Sequence, residues 1–179
     1  MNLPNKITVF RFILIPIFAI VFLLQLPWSN VAALVIFVIA CISDFFDGYI
    51  ARKENLITDF GKLMDPLADK MLVCTALVCF VELRENFPAW CAILVLAREF
   101  AISGIRQLAA DKDVIIMASN WGKVKTTIQM ITCILFIANF DYEWFYITET
   151  VFMWLAAALT VISLIDYCVK NKSIFKETI

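Results

Sequence analysis

Residues 7–26 carry one ionisable side chain, Arg11, in an otherwise apolar run, and runs of similar length and character recur along the chain. About 20 apolar residues suffice to cross a hydrocarbon layer as a helix. In hydrocarbon every backbone amide and carbonyl must find its partner within the protein, which leaves only helices or closed barrels as spanning structures. The runs lie at 7–26, 30–52, 61–81, 89–110, 121–139 and 147–169, joined by short polar or proline-bearing connections. With 63% hydrophobic and 17% charged residues in 179 positions, the chain is too apolar for a water-soluble domain of this size. The expected fold class is therefore all-α, a polytopic membrane protein of six transmembrane helices. No linker, repeat or low-complexity stretch interrupts it, so residues 1–179 are expected to form a single domain. The first run is read as a retained helix, because it is long and leads into Pro27-Trp28-Ser29-Asn30 instead of a small-residue cleavage site.

The basic residues set the expected orientation. With six spans, the lysines and arginines fall in the loops and flanking helix halves of one side, and only Arg84 belongs to the other. Basic residues favour the cytoplasmic side, so both termini and the connection at 53–60 are expected there. The sequence has no histidine, which removes imidazole as base, nucleophile or metal ligand. Six cysteines lie in or beside apolar runs without C-x-x-C pairing, the pattern of small apolar helix residues and not of a disulfide or zinc framework. The tryptophans, mostly near span ends, read as interfacial anchors.

Against this background one stretch stands out. Asp44 and Asp47 are three residues apart near the end of the second run, and Asp65 and Asp69 are four apart near the start of the third. Each pair shares a helix face, and both lie within ~8–13 Å of the connecting loop along their axes at 1.5 Å per residue. Ionisable groups inside spanning segments are costly and default to a functional reading. Four carboxylates brought together repel one another and are driven to protonate unless a cation is present. Oxygen-only ligands favour Mg²⁺ or Mn²⁺ over zinc. Pro66, next to Asp65, is expected to loosen the carbonyl ladder at that point. The competing readings are a structural polar network and a cation pathway through the bundle.

Asp44, Asp47, Gly48, Ala51, Arg52, Gly61, Asp65 and Asp69 fill the pattern D-x2-D-G-x2-A-R-x8-G-x3-D-x3-D without a departure. In this the chain resembles the CDP-alcohol phosphotransferases, six-helix membrane enzymes that move a phospho-alcohol from a CDP-linked donor to an acceptor hydroxyl. The resemblance implies two metal ions held by Asp44, Asp47, Asp65 and Asp69, with Asp69 also taking the acceptor's proton. It implies a CDP pocket formed by Gly48, Ala51, Arg52 and Gly61, and a first helix whose Asn5, Thr8 and Arg11 face the donor diphosphate. For these last three, an N-cap or interfacial role for Asn5 and Thr8 and a snorkelling role for Arg11 are alternatives. The resemblance also implies a homodimer.

The acceptor is addressed by the fourth and fifth runs. Arg98, Glu99, Ser103, Gly104 and Arg106 lie on the fourth, and Trp121-Gly122-Lys123-Val124-Lys125-Thr126 opens the fifth. Arg98 is ~18 Å along the helix from Ala110, a depth comparable with that of the aspartates. Its planar fork suits a phosphate, whereas neutralisation by Glu99 is the plainer account. Arg106, Lys123 and Lys125 read equally as headgroup anchors. The stretches ARE-F-AISGIRQLAA and WGKVKT resemble members of the family that take sn-glycerol 3-phosphate as acceptor and CDP-diacylglycerol as donor. That implies Arg98, Arg106, Lys123 and Lys125 as phosphate ligands, phospholipid synthesis as the role, and no nucleic-acid partner. A bacterial inner (cytoplasmic) membrane location, with the active site facing the cytoplasm, is expected. Inositol phosphate, serine or phosphatidylglycerol as acceptor, or a cation transporter with no polar track in its other half, are the rivals.

Overall fold

The structure, a computed structural model, describes residues 3–53, 59–110 and 119–170, with the side chains at 3–4, 44–53, 59–63, 65–66, 108 and 110 outside the described residues. Among the described residues the chain is all-helical: α1 (Leu3–Leu23), α2 (Ser29–Lys53), α3 (Asp59–Leu83), α4 (Ala89–Ala110), α5 (Asn120–Ala138) and α6 (Glu143–Lys170). Each expected run is a helix, and α4 keeps the expected bounds. The first run stops early because Gln25 takes a left-handed φ of 50° and Pro27 has no N–H to continue the ladder. The turn is closed by Leu26 N–H on Ser29 Oγ at 3.0 Å and Ser29 N–H on the Leu26 carbonyl at 2.9 Å. Asn139, at φ 42°, ends α5 in the same conformation, one that asparagine tolerates better than most residues. α6 starts at Glu143 instead of 147, its first-turn carboxylate placed favourably at the positive end of the helix dipole.

α1, over Asn5–Leu23, and α6 are each long and apolar enough to cross a membrane. Their outward faces are apolar as well, with Ile13, Ile17 and Ile20 on α1 and Trp154, Ile162 and Ile165 on α6 exposed. An exterior as apolar as the core suits lipid and not water. Cys79, Cys91 and Cys133 are buried in the core, as small apolar residues would be.

The chain divides into two compact units, Met1–Arg84 with Cys133–Phe140, and Glu85–Thr132 with Asp141–Ile179. In the first, α1 packs on both α2 and α3. Its buried stripe is Thr8, Arg11, Ile15, Phe18 and Phe22, a spacing of alternating threes and fours that keeps one face turned inward. Phe18 meets Phe22 at 5.6 Å and Phe37 at 5.7 Å between ring centroids; Phe80 meets Phe22 edge-on at 5.9 Å and Phe136 at 5.4 Å. Ala33, Ala40, Ala68 and Ala76 are fully buried in this unit, and such small residues let helix backbones approach.

Arg84 closes this unit. Its Nε donates to the Phe136 carbonyl at 2.9 Å, its Nη2 donates to Asn30 Oδ1 at 3.2 Å, and its guanidinium lies over the Phe22 ring at 5.2 Å. In the second unit α4 packs on α6, with Trp90 and Trp154 in ring contact at 5.2 Å. Here Glu149 is buried and accepts from Asn86 Nδ2 at 3.2 Å. This buried carboxylate lies in the second turn of α6.

Arg84→Met keeps the side chain's bulk but removes the hydrogen bonds to Phe136 and Asn30 and the ring contact. It is expected to lower stability by about 1–3 kcal/mol, read as a reduced thermal midpoint of the detergent-solubilised protein.

Candidate functional site

In the second unit three helices bring charge to one point. Arg98 and Glu99 come from α4, Lys125 from α5 and Ser163 from α6. Glu99 Oε1 accepts from Arg98 Nη1 at 2.8 Å and from Lys125 Nζ at 2.5 Å. Arg98 Nε donates to Ser163 Oγ at 3.2 Å, and Ser163 Oγ in turn donates to the Thr160 carbonyl at 3.2 Å. Lys125 is 1% exposed and Arg98 9%, so two cations sit almost wholly inside protein beside a half-buried carboxylate. Desolvating such groups is costly unless they are paired and hydrogen-bonded; these are both. From α5, a Cβ at Gly122 would stand 3.6 Å from Arg98 Nη2, an ordinary van der Waals contact.

The cluster sorts the four cations expected to bind phosphate. Arg98 and Lys125 belong to it. Lys123 is exposed, because two residues along a helix turn a side chain by about 200°. Arg106 is exposed too, its guanidinium 5.9 Å from the Tyr167 ring centroid. The plainer account of Arg98, neutralisation by Glu99, is realised, but Glu99 serves Lys125 with the same oxygen. Ser163 was not foreseen, since nothing in its own stretch of sequence marks it; only the packing of α6 on α4 does. Near the end of α6, Asp166 Oδ2 accepts from Ser119 Oγ at 2.5 Å and from Lys170 Nζ at 3.0 Å.

In the first unit α2 runs unbroken through Asp44, Asp47, Gly48, Ala51 and Arg52, and α3 through Gly61, Asp65, Pro66 and Asp69. Of these, only Asp69 has a side chain among the described residues, and it is half-buried; the expected grouping of the four carboxylates lies outside them. Among the described residues no group of three or more candidate metal ligands occurs. α2 and α3 pack against each other, as two carboxylate-bearing helices would have to. On α1, Asn5 and Thr8 are inside the helix, not at its cap, because the helix begins at Leu3. Arg11 is fully buried, which corrects the snorkelling alternative: it lies on the inward stripe with Thr8 and Ile15.

Helices of this length carrying buried charge on their inner faces, together with an unbroken aspartate motif on two packed helices, define a class. The chain belongs to the CDP-alcohol phosphatidyltransferase family, whose profile matches residues 1–162. Among its relatives is the CDP-diacylglycerol--glycerol-3-phosphate 3-phosphatidyltransferase of Bacillus subtilis (strain 168), 39% identical, with 99% of this chain and 98% of the relative aligned. Proteins of the same name from Rickettsia bellii (strain RML369-C) and Shigella flexneri serotype 5b (strain 8401) are 38% and 40% identical. The first alignment covers 97% of both chains; the second covers 93% of this chain and 92% of the relative.

Glu99→Ala leaves two cations without their shared carboxylate. Breaking a buried charge pair costs ~3–5 kcal/mol, so a clear drop in thermal midpoint is expected. Lys170→Ala is the control: it removes an exposed i,i+4 partner of Asp166 and is expected to cost at most about 0.5 kcal/mol.

Proposed function

We propose that the protein transfers the phosphatidyl group of CDP-diacylglycerol to sn-glycerol 3-phosphate, giving phosphatidylglycerophosphate and CMP. The observation that carries this reading is end-to-end similarity to relatives bearing that name. The buried Arg98–Glu99–Lys125 cluster supports it, because a phosphorylated acceptor needs fixed cations and a neutral alcohol does not. Arg98 and Lys125 would take the acceptor phosphate, while exposed Arg106 and Lys123 attract the anion through their field.

On the donor side, Gly48, Ala51, Arg52 and Gly61 would hold the CDP moiety, with Asn5 and Thr8 of α1 on its diphosphate. The donor set fits a hard divalent cation: it is all oxygen, the chain has no histidine, and α3 carries Asp65 and Asp69 one turn apart. Asp44, Asp47, Asp65 and Asp69 would hold two Mg²⁺ or Mn²⁺ ions, which when bound withdraw charge from the diphosphate. Asp69 accepts the proton of the acceptor's free hydroxyl. The oxygen of that acceptor hydroxyl then forms a bond to the phosphorus of the phosphatidyl group as the bond from that phosphorus to the bridging oxygen breaks, and CMP departs with that bridging oxygen. The carboxyl proton is afterwards lost to solvent.

We further read residues 1–179 as one catalytic domain whose six helices all span the membrane, with both termini in the cytoplasm. The one-sided distribution of basic residues supports that orientation. A bacterial inner membrane and a homodimer complete the proposal.

Purified protein given CDP-diacylglycerol is expected to release CMP only when glycerol 3-phosphate and a divalent cation are both present, and chelation should abolish release. Release with serine or inositol phosphate instead would overturn the choice of acceptor. Asp69→Asn should retain nucleotide binding while losing about 100-fold or more in turnover, and Asp44→Asn should abolish metal-dependent activity.

A further inference from the structure

Gln129 lies one turn after Lys125 on α5 and is 4% exposed. Its Nε2 has no hydrogen-bond partner among the described residues. Three other buried hydroxyls of the same unit are committed to backbone carbonyls. Thr132 Oγ1 donates to the Ile128 carbonyl at 2.8 Å and reaches the Phe152 carbonyl at 3.3 Å. Thr160 Oγ1 donates to the Ala156 carbonyl at 2.7 Å, and Ser163 Oγ donates to the Thr160 carbonyl. Beside these satisfied hydroxyls, the Gln129 amide is a buried donor without an acceptor among the described residues. Such a group is destabilising when buried and calls for an explanation.

Lys125 and Gln129 are four residues apart on one helix and both are buried, so they share a face with ~6 Å between them along the axis. That separation matches a small phosphorylated polyol laid along α5, phosphate at Lys125 and carbon chain toward Gln129. We propose that Gln129 is a specificity-determining residue whose amide nitrogen donates to the oxygen on the second carbon of the acceptor. This rests on the reading that Arg98 and Lys125 hold the acceptor's phosphate. The hydroxyl on the first carbon stays free to react, and the oxygen on the second carbon becomes the feature by which the site distinguishes a glycerol phosphate from a plain alkyl phosphate. An apolar residue at 129 would remove the unmatched donor, so binding and stability are expected to move in opposite directions.

The test pairs two acceptors with two variants. sn-Glycerol 3-phosphate is compared with 3-hydroxypropyl phosphate, which has the phosphate and the reacting hydroxyl but no oxygen on the second carbon. The wild type should prefer glycerol 3-phosphate by about tenfold in kcat/KM, the scale of one neutral hydrogen bond at its upper end. Gln129→Leu and Gln129→Met should bring glycerol 3-phosphate down to the level of the analogue and leave the analogue itself unchanged. Neither variant should alter the KM for CDP-diacylglycerol or lower the thermal midpoint. Equal losses for both acceptors would mean a packing role, and no loss for either would mean that water satisfies the amide; each overturns the proposal. A wild type that releases CMP with neither acceptor would instead overturn the underlying assignment of substrate.

Discussion

A single carboxylate oxygen, Oε1 of Glu99, holds an arginine and a lysine drawn from different helices. In a chain whose outward faces are apolar, charges of this kind have no solvent to retreat to, and their cost is recovered only by partners fixed in place. Ser163 supplies the other partner of Arg98, so α4, α5 and α6 meet at a point where each contributes a necessary atom. The apolar stripes above and below would permit sliding or rotation of one helix past another; a three-helix ion cluster does not. Apolar packing sets how closely these helices lie, and this cluster sets their register.

The first unit solves the same problem with different means. Its core is a column of phenylalanines, with fully buried alanines where backbones approach. The cation that closes it, Arg84, holds a carbonyl, an amide oxygen and a ring. Carbonyls at helix ends are orphan acceptors, and Phe136 lies in the last turn of α5, so the arginine answers a need the helix terminus already has. Arg11, also fully buried, shows that a charge near the start of α1 is treated as an interior group.

The helices were legible from the sequence because length and apolarity are properties of each segment by itself. Their ends were less so: the early stop of α1 depends on one left-handed residue, Gln25, and the early start of α6 on Glu143, whose charge suggested a loop. The aspartate motif was legible as spacing, and that spacing carried the family assignment. Pairings between helices were not legible. Lys123 and Lys125 look alike in the sequence and differ entirely in burial, and Gln129 and Ser163 gain meaning only from which face of their helix is turned inward. The rotation of a helix about its axis is a tertiary quantity, fixed here by neighbours distant along the chain.

Lys125, Gln129 and Thr132 are buried along one line of α5, while Lys123 emerges from another side of the same turn. Each added or deleted residue turns everything beyond it by about 100°. Within this stretch, then, side chains are open to gradual replacement but the number of residues is not. A form lengthened by one residue ahead of Lys125 would turn its indoor lysine away and bring Val124 in beside Glu99, so drift in this segment has to proceed by exchange of letters and never by insertion.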